Sequence, residues 1–289
     1  MTTTAGCIVI CPTPIGNLGD VSERVLGELR TSDVIACEDT RRTRVLLDRH
    51  GIDRPTVSLH EHNELARTAE LVRRALAGDR VAVVSDAGMP GVSDPGARLI
   101  SEALRAGVEV QVLPGPSAVT TALVASGLAA GGFTFCGFLP RGATRLRAEV
   151  ERLDGAGLPL IAFESPKRLP TTLRTLAAAW PDRRAAVCRE LTKLHQEVAR
   201  GTLGELAERF AEPPRGEVTL VLAARQARPA GVDQAALDEL AETLGTRQAA
   251  DLAARLTGAP RNALYEAITG RKTRGRSDPP GSRGRPCGP

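Results

Sequence analysis

Aromatic residues are scarce in this chain, with five Phe, one Trp and one Tyr among 289 residues. Its cores must therefore be filled by Ala, Val and Leu, and a nucleic-acid surface built on base stacking is disfavoured, because stacking uses those rings. No apolar run approaches the roughly 20 residues of a membrane span. The opening MTTTAG has neither the basic region nor the apolar core of a signal segment. We therefore expect a cytoplasmic protein with no membrane partner. The three-glycine dinucleotide fingerprint and the phosphate-cradling loop with its lysine are absent as well, which counts against hydride transfer and P-loop ATP hydrolysis. Cysteines stand at 7, 11, 37, 136, 188 and 287, mostly inside apolar runs and without the paired spacing of a metal site. They read as buried thiols in a reducing compartment, and no metal is expected.

The net charge of +4 is unevenly placed. Residues 271–289 hold Arg271, Lys272, Arg274, Arg276, Arg283 and Arg285 against Asp278, a net +5 that leaves the body of the chain near −1. That tail is rich in Gly, Pro and Ser and has no apolar periodicity, so it reads as disordered. It is either a phosphate-contacting arm or a solubilising appendage.

What is present is a strand-and-helix alternation. Strand-like runs at Cys7 to Cys11, Asp33 to Cys37, Thr56 to Leu59, Val81 to Ser85 and Val108 to Leu113 are separated by helical patterns. These include Glu23 to Arg30 and Glu64 to Ala77, the latter with Leu65, Ala69, Val72 and Leu76 on one face. Such alternation predicts a mostly parallel sheet covered on both sides, over residues 1–117. After a helix at Ala118 to Ser126 come strands at Phe133 to Phe138, Leu158 to Phe163, Ala185 to Arg189 and Val218 to Ala223. Helices at Arg145 to Leu153, Leu169 to Ala179 and Leu203 to Phe210 complete a second α/β unit, 118–228, and a cleft between the two units is a natural ligand site. From 229 to 270 the pattern is helical alone, with Leu237, Leu240 and Leu244 on one face and short helices at Arg247 to Leu256 and Asn262 to Ile268. It is either a helix-turn-helix or a simple cap.

The organising stretch is VAVVSDAGMPGVSDPG, Val81 to Gly96: a buried strand that opens into a Gly/Pro loop, as strands do where open α/β sheets bind ligands. VLPGPSA at 112–118 repeats the design, and CPTPIGNLGD at 11–20 precedes both, with Asp20 and Ser22 as candidate helix caps. CEDTRRTRVLL at 37–47 sets Glu38, Asp39, Arg41, Arg42 and Arg44 directly after the second strand. His60 and His62 follow the third strand, with no further ligands spaced to join them, so a substrate or hydrogen-bonding role is favoured over metal. In FESPKRL and CRELTKLHQEVARGT, Glu164, Lys167, Arg168, Arg189, Glu190, Lys193 and Glu197 either line the cleft or pair with one another.

Taken in register, PTPIGNLGD, EDTRRTRVLL, SDAGMPGVSDPG, LPGPSA, GFLPR, FESPKRL and RELTK resemble the tetrapyrrole methylase superfamily. Within it they are most similar to the bacterial enzymes that methylate a cytidine 2′-oxygen in small-subunit ribosomal RNA near the decoding centre. The resemblance runs from about Ile8 to Ile268. It implies two α/β domains with S-adenosylmethionine in the cleft between them, and a homodimer acting on the assembled or partly assembled 30S subunit. Carried onto this sequence, the cofactor residues are Pro14, Ile15, Gly16, Asp86, Ala87, Gly88, Met89, Pro114, Gly115, Ser117, Ala118 and Phe163, with Leu222 and Ala223 closing over the adenine. Displacement at the sulfonium methyl by a ribose hydroxyl calls for a general base; Glu38, Asp39, Glu164 and Lys167 are the candidates. Arg41, Arg42, His60, Arg189 and Lys193 are the candidate RNA contacts. The rivals are a precorrin-type or other small-molecule methylase of the same superfamily and a non-catalytic RNA-binding assembly protein.

Overall fold

The computed structural model describes residues 6–225, 234–257 and 259–272. They form two compact units. The first takes in the described residues up to Glu149 together with Leu158–Ala224; the second takes in Val150–Gly157 together with those from Arg225 on.

The first lobe of the larger unit runs β1 (Cys7–Ile10), α1 (Glu23–Thr31), β2 (Val34–Cys37), α2 (Thr40–Arg49), β3 (Thr56–Ser58), α3 (Glu64–Leu76), β4 (Arg80–Val84), α4 (Ala97–Arg105) and β5 (Glu109–Val112). Its strands lie in the order β3-β2-β4-β1-β5, every pair parallel. The near-continuous apolar runs of β1, β2 and β4 suit a sheet buried on both faces. Alternation then sorts their side chains: Cys7, Val9, Ile35, Ala82 and Val84 join Leu26 and Leu29 of α1 and Leu46 of α2 in one core. On the opposite face Ile8, Ile10, Val34, Val81 and Val83 pack on Leu71 of α3 and Leu99 of α4.

The second lobe continues with α5 (Ala118–Ser126), β6 (Thr134–Phe138), α6 (Ala143–Asp154), β7 (Leu160–Glu164), α7 (Leu169–Ala179), β8 (Arg184–Arg189), β9 (Glu197–Thr202), α8 (Leu203–Arg209) and β10 (Val218–Leu222). Its sheet, β6-β7-β10-β8-β9, is parallel only between β6 and β7. Ile15 of the first lobe lies in its core with Val119, Leu123, Ile161, Cys188 and Val221. The two lobes therefore share one compact unit. β9 was not expected. Its EVARGT reads as polar loop because it is an edge strand, and charged residues are how such edges avoid pairing with other chains.

α9 (Gln234–Leu244), α10 (Thr246–Thr257) and α11 (Arg261–Lys272) follow. Leu237, Ala241, Ala249, Ala250, Ala253, Leu264 and Ile268 form their core. α11 reaches two residues into the segment expected as tail; 273–289, with Cys287, lies outside the described residues. Among the described residues no helix is long and apolar enough to cross a membrane.

One helix face differs from expectation. α3 buries Thr68, Leu71, Val72 and Ala75, and exposes Leu65 and Leu76. A stripe one position along serves two neighbours at once, the sheet and α4, so burial follows the tertiary partners rather than the apolar residues alone. Leu71→Ala should lower stability by about 2–5 kcal/mol, whereas Leu65→Ala should stay within about 0.5 kcal/mol of wild type; urea midpoints of both variants decide between the two faces.

Candidate functional site

The helices after β1 and β4 leave in opposite directions. α1 packs on one face of the sheet and α4 on the other. The strand order therefore reverses between these two central neighbours, and their outgoing loops flank a gap at the carboxyl edge, where open sheets take ligands. Across the gap the loops hold each other. Thr13 N–H donates to Gly88 O at 2.9 Å and Gly88 N–H to Thr13 O at 3.0 Å, while Thr13 Oγ1 donates to Ser85 O at 2.9 Å. The second loop needs a left-handed backbone at Gly88, Gly91 and Gly96, and also at Ser93, whose φ is +66°; for serine this is an uncommon conformation.

A cavity of about 370 Å³ opens beside this junction. The first lobe contributes Ile15, Ala87, Gly88, Met89, Val92, Ser93 and Asp94, and the start of α5 contributes Ser117, Ala118 and Val119. The second lobe closes it with Phe138, Phe163, Glu164, Ser165, Pro166, Cys188, Leu191, Glu217, Val218 and Thr219. Phe163 is fixed edge-to-face between Phe135 and Phe138, at centroid distances of 5.0 and 5.7 Å.

Of the expected cofactor residues, Ile15, Ala87, Gly88, Met89, Ser117, Ala118 and Phe163 are thus brought together. Pro14, Gly16, Asp86, Pro114 and Gly115 lie outside the lining. Asp86 accepts from Asp39 N–H at 3.1 Å and pairs with Arg42 at 3.1 Å, tying the loop after β4 to α2. Gly115 lets its loop cross Pro12, where an added Cβ would come within 2.3 Å of the ring. Leu222 and Ala223 also lie outside the lining. β10 runs antiparallel to β7 and β8, pairing Val218 with Glu164 and Leu222 with Leu160, so its start and not its end meets the cavity. Val218 and Thr219 line it instead. Asp94, a fixed acceptor in the organising motif though not among the candidate cofactor or base residues, also lines the cavity.

The expected general bases are mostly engaged. Glu164 is buried, with Thr172 Oγ1 donating to it at 2.6 Å, Ser165 N–H at 2.7 Å and Arg168 at 3.3 Å. Asp39 caps α2 through Arg41 N–H, and its carboxyl is held down at about 2, first by the Arg41 side-chain hydrogen bond. Lys167 is exposed and outside the lining. Burial, then the nearby Asp86, raises the Glu38 carboxyl. Asp94 rises much further, to about 7, through burial and then the charges of Glu38 and Asp86.

The expected RNA contacts divide. Arg41 and Arg42 have largely exposed side chains, 89% and 67%, although each touches a carboxylate. His60 Nδ1 is buried with no hydrogen-bond partner. Arg189 instead pairs with Glu197 across the β8–β9 hairpin at 2.8 Å. Lys193 pairs with Glu190 at 2.8 Å and Glu217 at 3.0 Å, and its stem lies over Gly16. Both cations are spent within the second lobe, and they hold the Glu197 and Glu190 carboxyls below the usual range.

Comparison with known proteins follows the geometry. Residues 8–207 match the model of the Tetrapyrrole (Corrin/Porphyrin) Methylases, and residues 228–272 match that of the RsmI C-terminal HTH domain. A ribosomal RNA small subunit methyltransferase I of Mesorhizobium japonicum is 43% identical over 267 residues, 90% of each chain. One of Thermotoga maritima is 45% identical over 222 residues, 76% of this chain and all of the relative. Among solved structures, diphthine synthase has a TM-score of 0.60 at 18% identity, covering 75% of this chain and 90% of its own. The methyltransferase CobJ has a TM-score of 0.59 at 21% identity, covering 76% and 95%.

The lobe-to-lobe contact at Gly16 is open to test. An added Cβ there would stand 2.5 Å from Lys193 Cγ and 2.8 Å from Leu191 O, one of them immovable backbone. Gly16→Ala should cost about 1–3 kcal/mol. Gly27→Ala, inside α1 with open space around its Cα, should instead add about 0.5–1 kcal/mol; paired thermal melts give both signs.

Proposed function

Because the chain belongs to the tetrapyrrole methylase family, and within it to the ribosomal RNA small subunit methyltransferase I group, we propose that it transfers a methyl group from S-adenosylmethionine to the 2′-oxygen of a cytidine in small-subunit ribosomal RNA. The observation that carries this reading is the cavity at the sheet's switch point, roofed by the second lobe.

The residues present suit that cofactor. A volume of about 370 Å³ falls within the usual range for small-molecule sites. Ile15, Met89 and Phe163 offer apolar surface for a flat base. Ala87, Ser117 and Ala118 offer backbone polar groups, and α5 begins without a side-chain cap, so its first N–H groups are available to a ligand. When bound, S-adenosylmethionine supplies a methyl group on a sulfonium sulfur that departs as a neutral thioether. The loops align the acceptor oxygen and exclude water, and alignment alone supplies much of the rate in such displacements.

With so few aromatic side chains, RNA recognition rests on charge and shape. Arg41 and Arg42, beside the cavity, serve phosphates, and His60 serves the substrate. Arg189 and Lys193 act instead by keeping the second lobe in order. The assembled or partly assembled 30S subunit is the substrate, the active form is a homodimer, and the enzyme works in the cytoplasm.

Incubation with labelled S-adenosylmethionine should place label on undermodified small subunits and none on a precorrin, with a single modified ribose found by mass mapping. Affinity for the subunit should drop by a factor on the order of a thousand or more between about 50 and 200 mM salt if six or more phosphates are contacted. Label on the precorrin, or no cofactor binding at all, would refute the assignment.

A further inference from the structure

The acceptor oxygen has to reach the donor inside the cavity, and a nucleotide stacked within folded RNA cannot bring it there. The nucleotide has to leave its neighbours and enter the mouth, which forfeits the stacking of its base unless another flat surface takes it. The cavity lining offers two rings, Phe138 and Phe163. Phe163 is enclosed edge-to-face between Phe135 and Phe138. Phe138 is 60% exposed, in a chain with one Trp, one Tyr and five Phe.

An exposed apolar side chain is ordinary on a protein surface; what sets Phe138 apart is how its strand is bent to present it. Side chains three apart on a regular strand face opposite sides, so Phe135 and Phe138 should diverge. In β6 the register against β7 shifts between them: Phe135 pairs with Ile161, but Phe138 pairs with Phe163. β6 therefore holds one residue more than its partner over this stretch, a bulge of the kind that re-aims a side chain beside a site. Gly137, at φ +66°, takes up the extra residue in a conformation that glycine adopts freely. Both rings thereby reach Phe163, at 5.0 and 5.7 Å, and Phe138 arrives in the cavity wall.

Beyond the ring the chain is tied down. Leu139 is buried, and Arg168 donates to Leu139 O at 2.7 Å and to Pro140 O at 3.2 Å. That guanidinium is anchored in turn by the buried Glu164 at 3.3 Å. Glu164, a candidate base by position, thus has another part: it holds the arm that carries Phe138.

Resting on the function proposed above, we propose that Phe138 is the platform on which the base of the acceptor nucleotide stacks while its 2′-hydroxyl enters the cavity. A ring fixed in advance loses little freedom when a ligand arrives. Val92 adds apolar surface at the same cavity: it lines it, is 41% exposed, and precedes Ser93, whose Oγ would stand 3.3 Å from a Cβ on Gly137. Stacking accepts any base, because each has a flat face. Phe138 therefore holds the nucleotide, and the fit of the whole subunit chooses which one. A single ring is enough for that, which reconciles an RNA substrate with so few aromatic side chains.

The test compares Phe138→Ala, Phe138→Leu and Phe138→Tyr on undermodified small subunits. Phe138→Ala should lower kcat/KM by about 5- to 100-fold, the loss expected for one unstacked base. Phe138→Tyr should return most of the rate, and Phe138→Leu, which keeps apolar bulk without a flat face, should stay close to Phe138→Ala. A role in packing alone would be served by Leu as well as by Tyr, so this pair tells stacking from bulk. Because the side chain is largely exposed, calorimetry should give each variant an S-adenosylmethionine affinity within about threefold of wild type. Sedimentation of each variant should also match wild type. Four results would each overturn the assignment: a wild-type kcat/KM in Phe138→Ala, equal rates for the Leu and Tyr variants, a loss matched by weaker donor binding, or a changed association state. The third would give the ring to the methyl donor and the fourth to a second copy of the chain. Failure of wild type itself to methylate small subunits would overturn the proposed function together with this inference, and is told apart because it leaves no wild-type rate to lose.

Discussion

A pair of backbone hydrogen bonds between Thr13 and Gly88 is what the site depends on. Where a parallel sheet reverses its winding, two loops diverge and their N–H and C=O groups lose regular partners. Here the loops after β1 and β4 satisfy each other. The exchange fixes their separation, and it turns Ile15 on one side and Ala87 and Met89 on the other toward the cavity. It also explains the glycine at 88: its φ of +80° closes the turn with Ile15 only 3.5 Å from where a side chain would begin.

The second lobe answers this arrangement through charge and close approach. Lys193, Glu190 and Glu217 form a small network whose lysine stem covers Gly16, and Asn17 N–H donates to Thr192 Oγ1 at 2.9 Å. Glu190 and Thr192 hold left-handed backbones to do so. Charges that looked available for phosphate are thus consumed within the second lobe, and only the lysine stem meets the first. Arg41 and Arg42, at the start of α2, are paired as well, with Asp39 and Asp86, but their side chains stay largely exposed. Net charge says little here; what matters is which cations are neutralised locally.

The same distinction governs the carboxylates. Glu164 resembles a catalytic acid by position, at the end of a strand in the cavity wall, yet its oxygens are committed to Thr172, Ser165 and Arg168. Asp94, between Ser and Pro in a turn, lines the same cavity, and burial with the charges of Glu38 and Asp86 raises its carboxyl to about 7. An unpartnered carboxylate facing like charges costs stability, and proteins keep such costs where function repays them.

Strand positions in the first lobe were readable because parallel strands buried on both faces carry unbroken apolar runs, and helices because their periodicity survives. The Gly/Pro loops were readable as a site because backbone permissiveness after a strand has few other uses. β9 was not readable, since its pairing with β8 involves backbone groups that any residue supplies. The direction of β10 was equally hidden: VTLVL reads the same run parallel or antiparallel, so no local pattern shows that Val218 and Thr219, rather than Leu222 and Ala223, line the cavity. Local composition and spacing thus determined the alternating architecture, the family and the loops that build the pocket. Which end of a strand reaches that pocket, which arginine or lysine is free, and which carboxylate lacks a partner were decided by tertiary structure, because each depends on groups distant in the chain that meet only after folding.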